Sequence, residues 1–275
     1  MSGARPPEPS AVPGLPVLAL HGFTGTGTDF APLAARAGGS WICPDLPGHG
    51  IRAHDPPDAF APDTWAGHLL PSLPPRLHAV GYSLGGRLLL HLLVRDPGRF
   101  ASAVLVGVGP ELLDPDARAG RRERDALWIN QLRSEPLPSF LRAWYAQPVL
   151  RSLGEHDSPA LRARRRRQEH AEPEGWARSL ACHGKGALPL ATPLFPRLTF
   201  PILVLAGEDD RKFRGEAAEL ATRLPRAHAD TLPRAGHAPH LEQPAATAGR
   251  LREFWRTTEG KDGANEPADP AHRGR

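Results

Sequence analysis

The chain predicts an α/β fold: a mostly parallel sheet with helices on both faces and a helical cap inserted before the last strands. Three observations carry this. Short apolar runs alternate with helical stretches from residue 15 to 110; a segment of about ninety residues rich in Arg, Trp and Pro then interrupts the alternation; it resumes from 196 to 255.

Taken in order, "LPVLALHGF" (15–23) and "SWICPDLPGHG" (40–50) read as buried strands. Between them "DFAPLAARAG" reads as a helix with Asp29 near its start and Gly38 past its end. The prolines around 56–75 read as loop signals. "RLHAVGYS", "LGGRLLLHLLVRDP" and "FASAVLVGVGP" then read as strand, helix and strand, and 111–195 as the cap. "FPILVLAGEDD", "GEAAELATRLP", "AHADTLP" and "PAATAGRLREFWR" close the domain as strand, helix, strand and helix. Residues 1–14 and 256–275 lack apolar periodicity and read as disordered ends.

Composition narrows the function classes. With 275 residues and 40% hydrophobic content the chain can bury a full core. The net charge of +4 comes from bases mixed with acids, and no nucleic-acid motif accompanies it. No apolar run approaches the ~20 residues of a membrane span, so a soluble, cytoplasmic protein without a membrane role is expected. The two cysteines, Cys43 and Cys182, lie far apart, which argues against a disulfide framework or a thiolate metal site.

Gly81-Tyr82-Ser83-Leu84-Gly85 fits G-x-S-x-G, a sharp strand-to-helix turn that exposes the serine oxygen. Alone, the pattern equally fits a glycine-rich turn without chemistry. Two later motifs agree with it. "GEDD" follows a strand and places Asp210 to orient an imidazole, with Glu208 and Asp209 as rivals and a helix N-cap as the structural reading. "AGHAPH" follows the last strand and places His237 to take a proton from Ser83, with His240 and His228 as rivals. The order Ser, Asp, His is that of α/β hydrolases. Backbone N–H groups of Phe23, in "HGF", and Leu84 are candidates for an oxyanion hole. The same hole can hold an enolate, so the triad alone does not fix the reaction.

Arg87, one turn after Ser83, either faces the pocket floor or is solvated. In the cap, "ARAGRRERDALW" places Arg118, Arg121 and Arg122 at spacings of three and four, and "LRARRRRQEH" adds a second basic stretch. Each fits an exposed helix face; together they suit a substrate with several carboxylates, which guanidinium binds in a bidentate fork. Trp144 and Tyr145 in "WYAQPVL" close the pocket or pack within the cap.

"LHGFTGTGTDF", "DLPGHG", "GYSLGGRLLL", "RAGRRERD", "WYAQPV", "AGEDDRKF" and "AGHAPHLEQP" together resemble the 2-succinyl-6-hydroxy-2,4-cyclohexadiene-1-carboxylate synthases of menaquinone biosynthesis, which have the α/β-hydrolase fold. The resemblance spans residues 15 to 255. It implies a lyase that removes pyruvate from 2-succinyl-5-enolpyruvyl-6-hydroxy-3-cyclohexene-1-carboxylate, with Ser83 as base, His237 and Asp210 behind it, and no metal or cofactor. By the same matching, Tyr82, Arg87, Arg121, Trp144 and Tyr145 correspond to substrate-pocket positions, with Arg167 chosen from Arg164 to Arg167. The chain departs from the family pattern at Arg52 and in "ACHGKGALP" (181–189). The competing readings are a serine carboxylesterase or C–C hydrolase for a small acidic substrate, and a noncatalytic receptor for an acidic ligand.

Overall fold

The computed structural model describes residues 14–262, with side chains described as far as residue 258. Six strands form one sheet in the order β2-β1-β3-β4-β5-β6: β1 Val17–Leu20, β2 Trp41–Ile42, β3 Leu77–Tyr82, β4 Phe100–Val106, β5 Ile202–Gly207 and β6 Ala227–Leu232. All five pairings are parallel. β3, β4 and β5 are buried along their whole length, as a sheet covered on both faces requires.

The two-residue periodicity of the strands divides the core. Leu18, Ala79, Leu105 and Val204 point to the face covered by α2 (Pro62–Leu69), α3 (Leu84–Arg95) and α9 (Arg211–Arg223). Val17, Val80, Val104 and Leu203 point to the opposite face, covered by α1 (Ala31–Ala37) and α11 (Pro244–Asp262). A one-turn helix, α10 (Pro239–Glu242), leads into α11. Between β4 and β5 the cap folds as α4 (Pro115–Ser134), α5 (Leu137–Tyr145), α6 (Arg151–Glu155), α7 (Pro159–Gln168) and α8 (Pro173–His183).

Four details differ from the sequence reading. β2 shrinks to two residues at the sheet edge. The proline-rich 56–75 segment contains α2, because Pro62 occupies the first helical position, where a missing N–H costs nothing. α9 starts at Arg211 rather than 215, capped by Asp210. The expected tail from 256 begins inside α11, which continues to Asp262 on the packing of Phe254 and Trp255; residues 263–275, like 1–13, lie outside the described residues. Among the described residues no helix is long and apolar enough to cross a membrane.

Candidate active site

The chain order of the strands reverses between β1 and β3, and an open parallel sheet leaves a crevice at the carboxyl ends of its strands near such a point. The loops leaving β1, β3, β4, β5 and β6 meet there. Ser83 stands between β3 and α3 with φ 50°, in the left-handed region that a side chain other than glycine adopts only under restraint. The turn is that tight because glycines flank it: a Cβ on Gly81 would lie 2.6 Å from Gly86 Cα, and one on Gly85 would collide with the carbonyls of Leu20 and His21.

His237 Nε2 lies 3.3 Å from Ser83 Oγ, and His237 Nδ1 lies 2.7 Å from Asp210 Oδ2. The other carboxylate oxygen, Oδ1, accepts the Phe213 N–H at 3.1 Å. Asp210 is therefore both the imidazole's partner and the N-cap of α9, so the two readings of this residue are compatible. Glu242, which the sequence reading passed over, brackets His237: its carboxylate accepts the N–H of Gly236 at 2.6 Å and of Ala238 at 3.1 Å, and Ser152 of the cap donates to it at 3.1 Å. The rivals fall away. His240 is fully buried against Phe30 and Tyr82, and His228 sits on β6 against Phe254.

Leu84 opens α3, where a first-turn N–H has no acceptor within the helix. The Phe23 N–H belongs to the Gly22–Phe23 peptide, whose carbonyl is held at 2.8 Å by His21 Nδ1 and at 3.0 Å by the Gly25 N–H. His21 Nε2 accepts the Leu46 N–H at 2.9 Å, which leaves the proton on Nδ1 as a donor. Burial supports this by pushing the His21 pKa down to about 3, so the ring is neutral.

Ser83, His237, Phe23 and Leu84 line a cavity of about 220 Å³ roofed by the cap. Arg87, Arg121, Arg124, Lys185 and Lys212 line it too. Arg87 is partly buried, its Nε wholly so and without a partner; burial lowers its pKa to about 10, and its Nη2 donates to His183 O at 3.2 Å. Arg121 is held by Asp125 at 2.9 Å. Lys185 pairs with Glu216 at 3.2 Å, and burial lowers its pKa against the opposing pull of that carboxylate. Trp144 packs edge-on to Phe23 with 4.9 Å between ring centres. Cations outnumber carboxylates on this lining.

Three expected pocket residues do not line this cavity. Tyr82 ends β3 on the face opposite Gly81, so it packs under His237, 5.4 Å between ring centres, and not above it. Tyr145 follows Trp144 by about 100° around α5, which turns it away from the cavity and onto Gln168 and Thr24. Arg167 pairs with Asp29 at 2.6 Å and lines a separate, more open groove of about 830 Å³ between α7 and the 48–54 loop. That groove is the larger of the two, yet it holds neither Ser83 nor His237. Lys185, in the segment that departs from the family pattern, was not anticipated; only the folded path after α8 brings it to the cavity.

This layout is that of an α/β hydrolase, and residues 17–250 match the Alpha/beta hydrolase family. Over 250 residues the chain is 35% identical to the 2-succinyl-6-hydroxy-2,4-cyclohexadiene-1-carboxylate synthase of Escherichia coli O1:K1 / APEC, covering 89% of this chain and 95% of that protein. The chain belongs to that synthase family. MenH from S. aureus has the same fold, with TM-score 0.83 at 23% identity over 89% of this chain and 94% of that one. A malate-bound esterase from Thermogutta terrifontis follows at TM-score 0.71 and 26% identity, over 89% and 90% of the two chains. Fold alone therefore does not separate lyase from esterase.

Proposed function

We propose that the chain eliminates pyruvate from 2-succinyl-5-enolpyruvyl-6-hydroxy-3-cyclohexene-1-carboxylate, a polycarboxylate, to give 2-succinyl-6-hydroxy-2,4-cyclohexadiene-1-carboxylate. Ser83 Oγ takes the proton from the ring carbon bearing the succinyl ketone and passes its own to His237 Nε2, with Asp210 steadying the imidazolium. The enolate oxygen rests on the N–H groups of Phe23 and Leu84. The electron pair returns through the ring: the 3,4 double bond becomes the 2,3 and 4,5 pair, and the bond from carbon 5 to the enolpyruvyl oxygen breaks. The departing enolpyruvate recovers one proton and leaves as pyruvate, so no water is consumed.

The observation that carries this reading is the meeting of an activated serine with Arg87, Arg121 and Lys185 in one cavity. A neutral ester needs none of these cations; a substrate with several carboxylates uses them in charge-assisted hydrogen bonds. The competing serine carboxylesterase or C–C hydrolase would use the same triad to form an acyl-enzyme. Diene absorbance and pyruvate release, followed together with Ser83→Ala as control, separate the two. Parallel formation of both products, lost in the variant, is expected. No acceleration over spontaneous elimination, with turnover of nitrophenyl esters, would replace the lyase by an esterase.

A further inference from the structure

Helix α7 of the cap grips the loop that carries Phe23. Arg164 Nη2 donates to Phe23 O at 3.1 Å and to Thr24 Oγ1 at 3.0 Å. Gln168 Nε2 donates to Thr24 O at 3.0 Å and also lies 3.1 Å from Thr24 Oγ1 and 2.6 Å from the Tyr145 hydroxyl. Both side chains are buried, and Arg164 is paired with Asp29 beneath the loop. The packing is close enough that a Cβ on Gly25 would lie 2.7 Å from Arg164 Nη1.

Thr24 needs this grip. Its φ of 62° puts a β-branched residue in the left-handed region, which persists only where surrounding contacts over-determine it. Three successive carbonyls are thus restrained from two sides. His21 of the core holds that of Gly22, and α7 holds those of Phe23 and Thr24. Arg164 and Gln168 line the outer groove and are absent from the Ser83 cavity lining, so substrate contact does not explain their placement.

We propose that Gln168 and Arg164 are positioning residues: docked in the cap, they fix the Phe23–Thr24 backbone and thereby aim the Phe23 N–H at the reacting oxygen. The oxyanion hole is then complete only while α7 is seated, which makes the cap part of the catalytic geometry as well as a roof. This rests on the reading of Phe23 as an oxyanion donor.

Gln168→Ala tests it on the full chain. Loss of one oriented donor costs on the order of tenfold or more in kcat, with KM and the Kd of the diene product within about twofold of the parent. Tyr145→Phe, which removes only the hydroxyl that orients Gln168, is expected to cost about threefold in kcat. Phenylboronic acid provides the independent readout, because its tetrahedral adduct on Ser83 places an oxygen in the hole. Its affinity is expected to fall in parallel with kcat while the variant stays fully folded at the assay temperature, its melting point lowered by no more than a few degrees. A kcat within twofold of the parent, or a KM and product Kd that worsen as much as kcat, would overturn the proposal. If the parent itself fails to accelerate the elimination, the lyase reading falls and the ratio of boronate affinities alone decides the positioning role.

Discussion

Asp210 and His237 are joined at 2.7 Å through one carboxylate oxygen, while the other closes the first turn of α9. Orientation of the His237 ring and the start of a core helix thus depend on one side chain. Asp210→Asn keeps a good N-cap but loses the anion that holds the imidazole's tautomer. We expect kcat to fall roughly 10³-fold or more with stability nearly unchanged, whereas Asp210→Ala loses the cap too, at about 1 kcal/mol. Urea melts beside steady-state rates separate these; equal melts for the two variants would deny Asp210 its capping role.

Arg87 lines the Ser83 cavity and tests stability and substrate recognition together. It is a partly buried cation whose buried Nε finds no acceptor, so Arg87→Met should leave the fold unharmed. The same change should cost roughly 3 kcal/mol in kcat/KM on the polycarboxylate and almost nothing on a neutral ester. Thermal melts and the paired substrates check both halves, and a uniform loss on both substrates would remove Arg87 from substrate recognition.

Lys185 gives a narrower test. With its ammonium at the cavity beside Glu216, Lys185→Met should raise KM about tenfold with little change in kcat, since a ground-state contact contributes equally to the transition state. An analogue lacking one carboxylate should lose part of that difference. If every analogue responds to the substitution alike, Lys185 holds Glu216 and not the substrate.

Acid should unfold this protein early. Burial, the largest cause in each case, lowers the pKa of His21 and His240 to about 3 and of His183 to about 4. These rings stay neutral in the fold while the unfolded chain binds protons below about pH 6.5, so stability is full above that pH and falls as pH drops toward 4. Each ring adds a slope approaching about 1.4 kcal/mol per pH unit. His240→Phe is expected to flatten the slope by one proton and, because neither ring nitrogen of His240 has a partner, to raise stability near pH 6. Denaturant melts at pH 7.5, 6.5 and 5.5 measure it; an unchanged slope would mean His240 titrates alike in both states.

Much of this site was legible because its parts sit beside strand ends that a sequence shows directly. Ser83 and Asp210 each follow an apolar run, His237 follows the Gly that ends the turn after the last strand, and Arg87 was reachable by counting one turn of helix from Ser83. What stayed hidden depended on rotation or on tertiary path. Trp144 and Tyr145 are neighbours in sequence but face different ways around α5, and the basic run of α7 gives no sign that Arg164 points inward while Arg167 stays at the surface. Lys185 and Glu242 become neighbours of the site only after the cap and the last turn before α11 have folded. Proline misled in the other direction, because at a helix's first position it starts an element that its loop reputation argues against.

The cap's place between β4 and β5 also shapes how the molecule is made. During synthesis β1 to β4 can pair as soon as they emerge, but β4 must wait for the entire cap before β5 arrives to cover its free side. Throughout that interval a seven-residue strand, buried along its whole length in the finished fold, is an open edge able to recruit strands from other nascent chains. Yield of active protein should therefore depend on expression temperature and on chaperone supply more than the finished molecule's stability suggests.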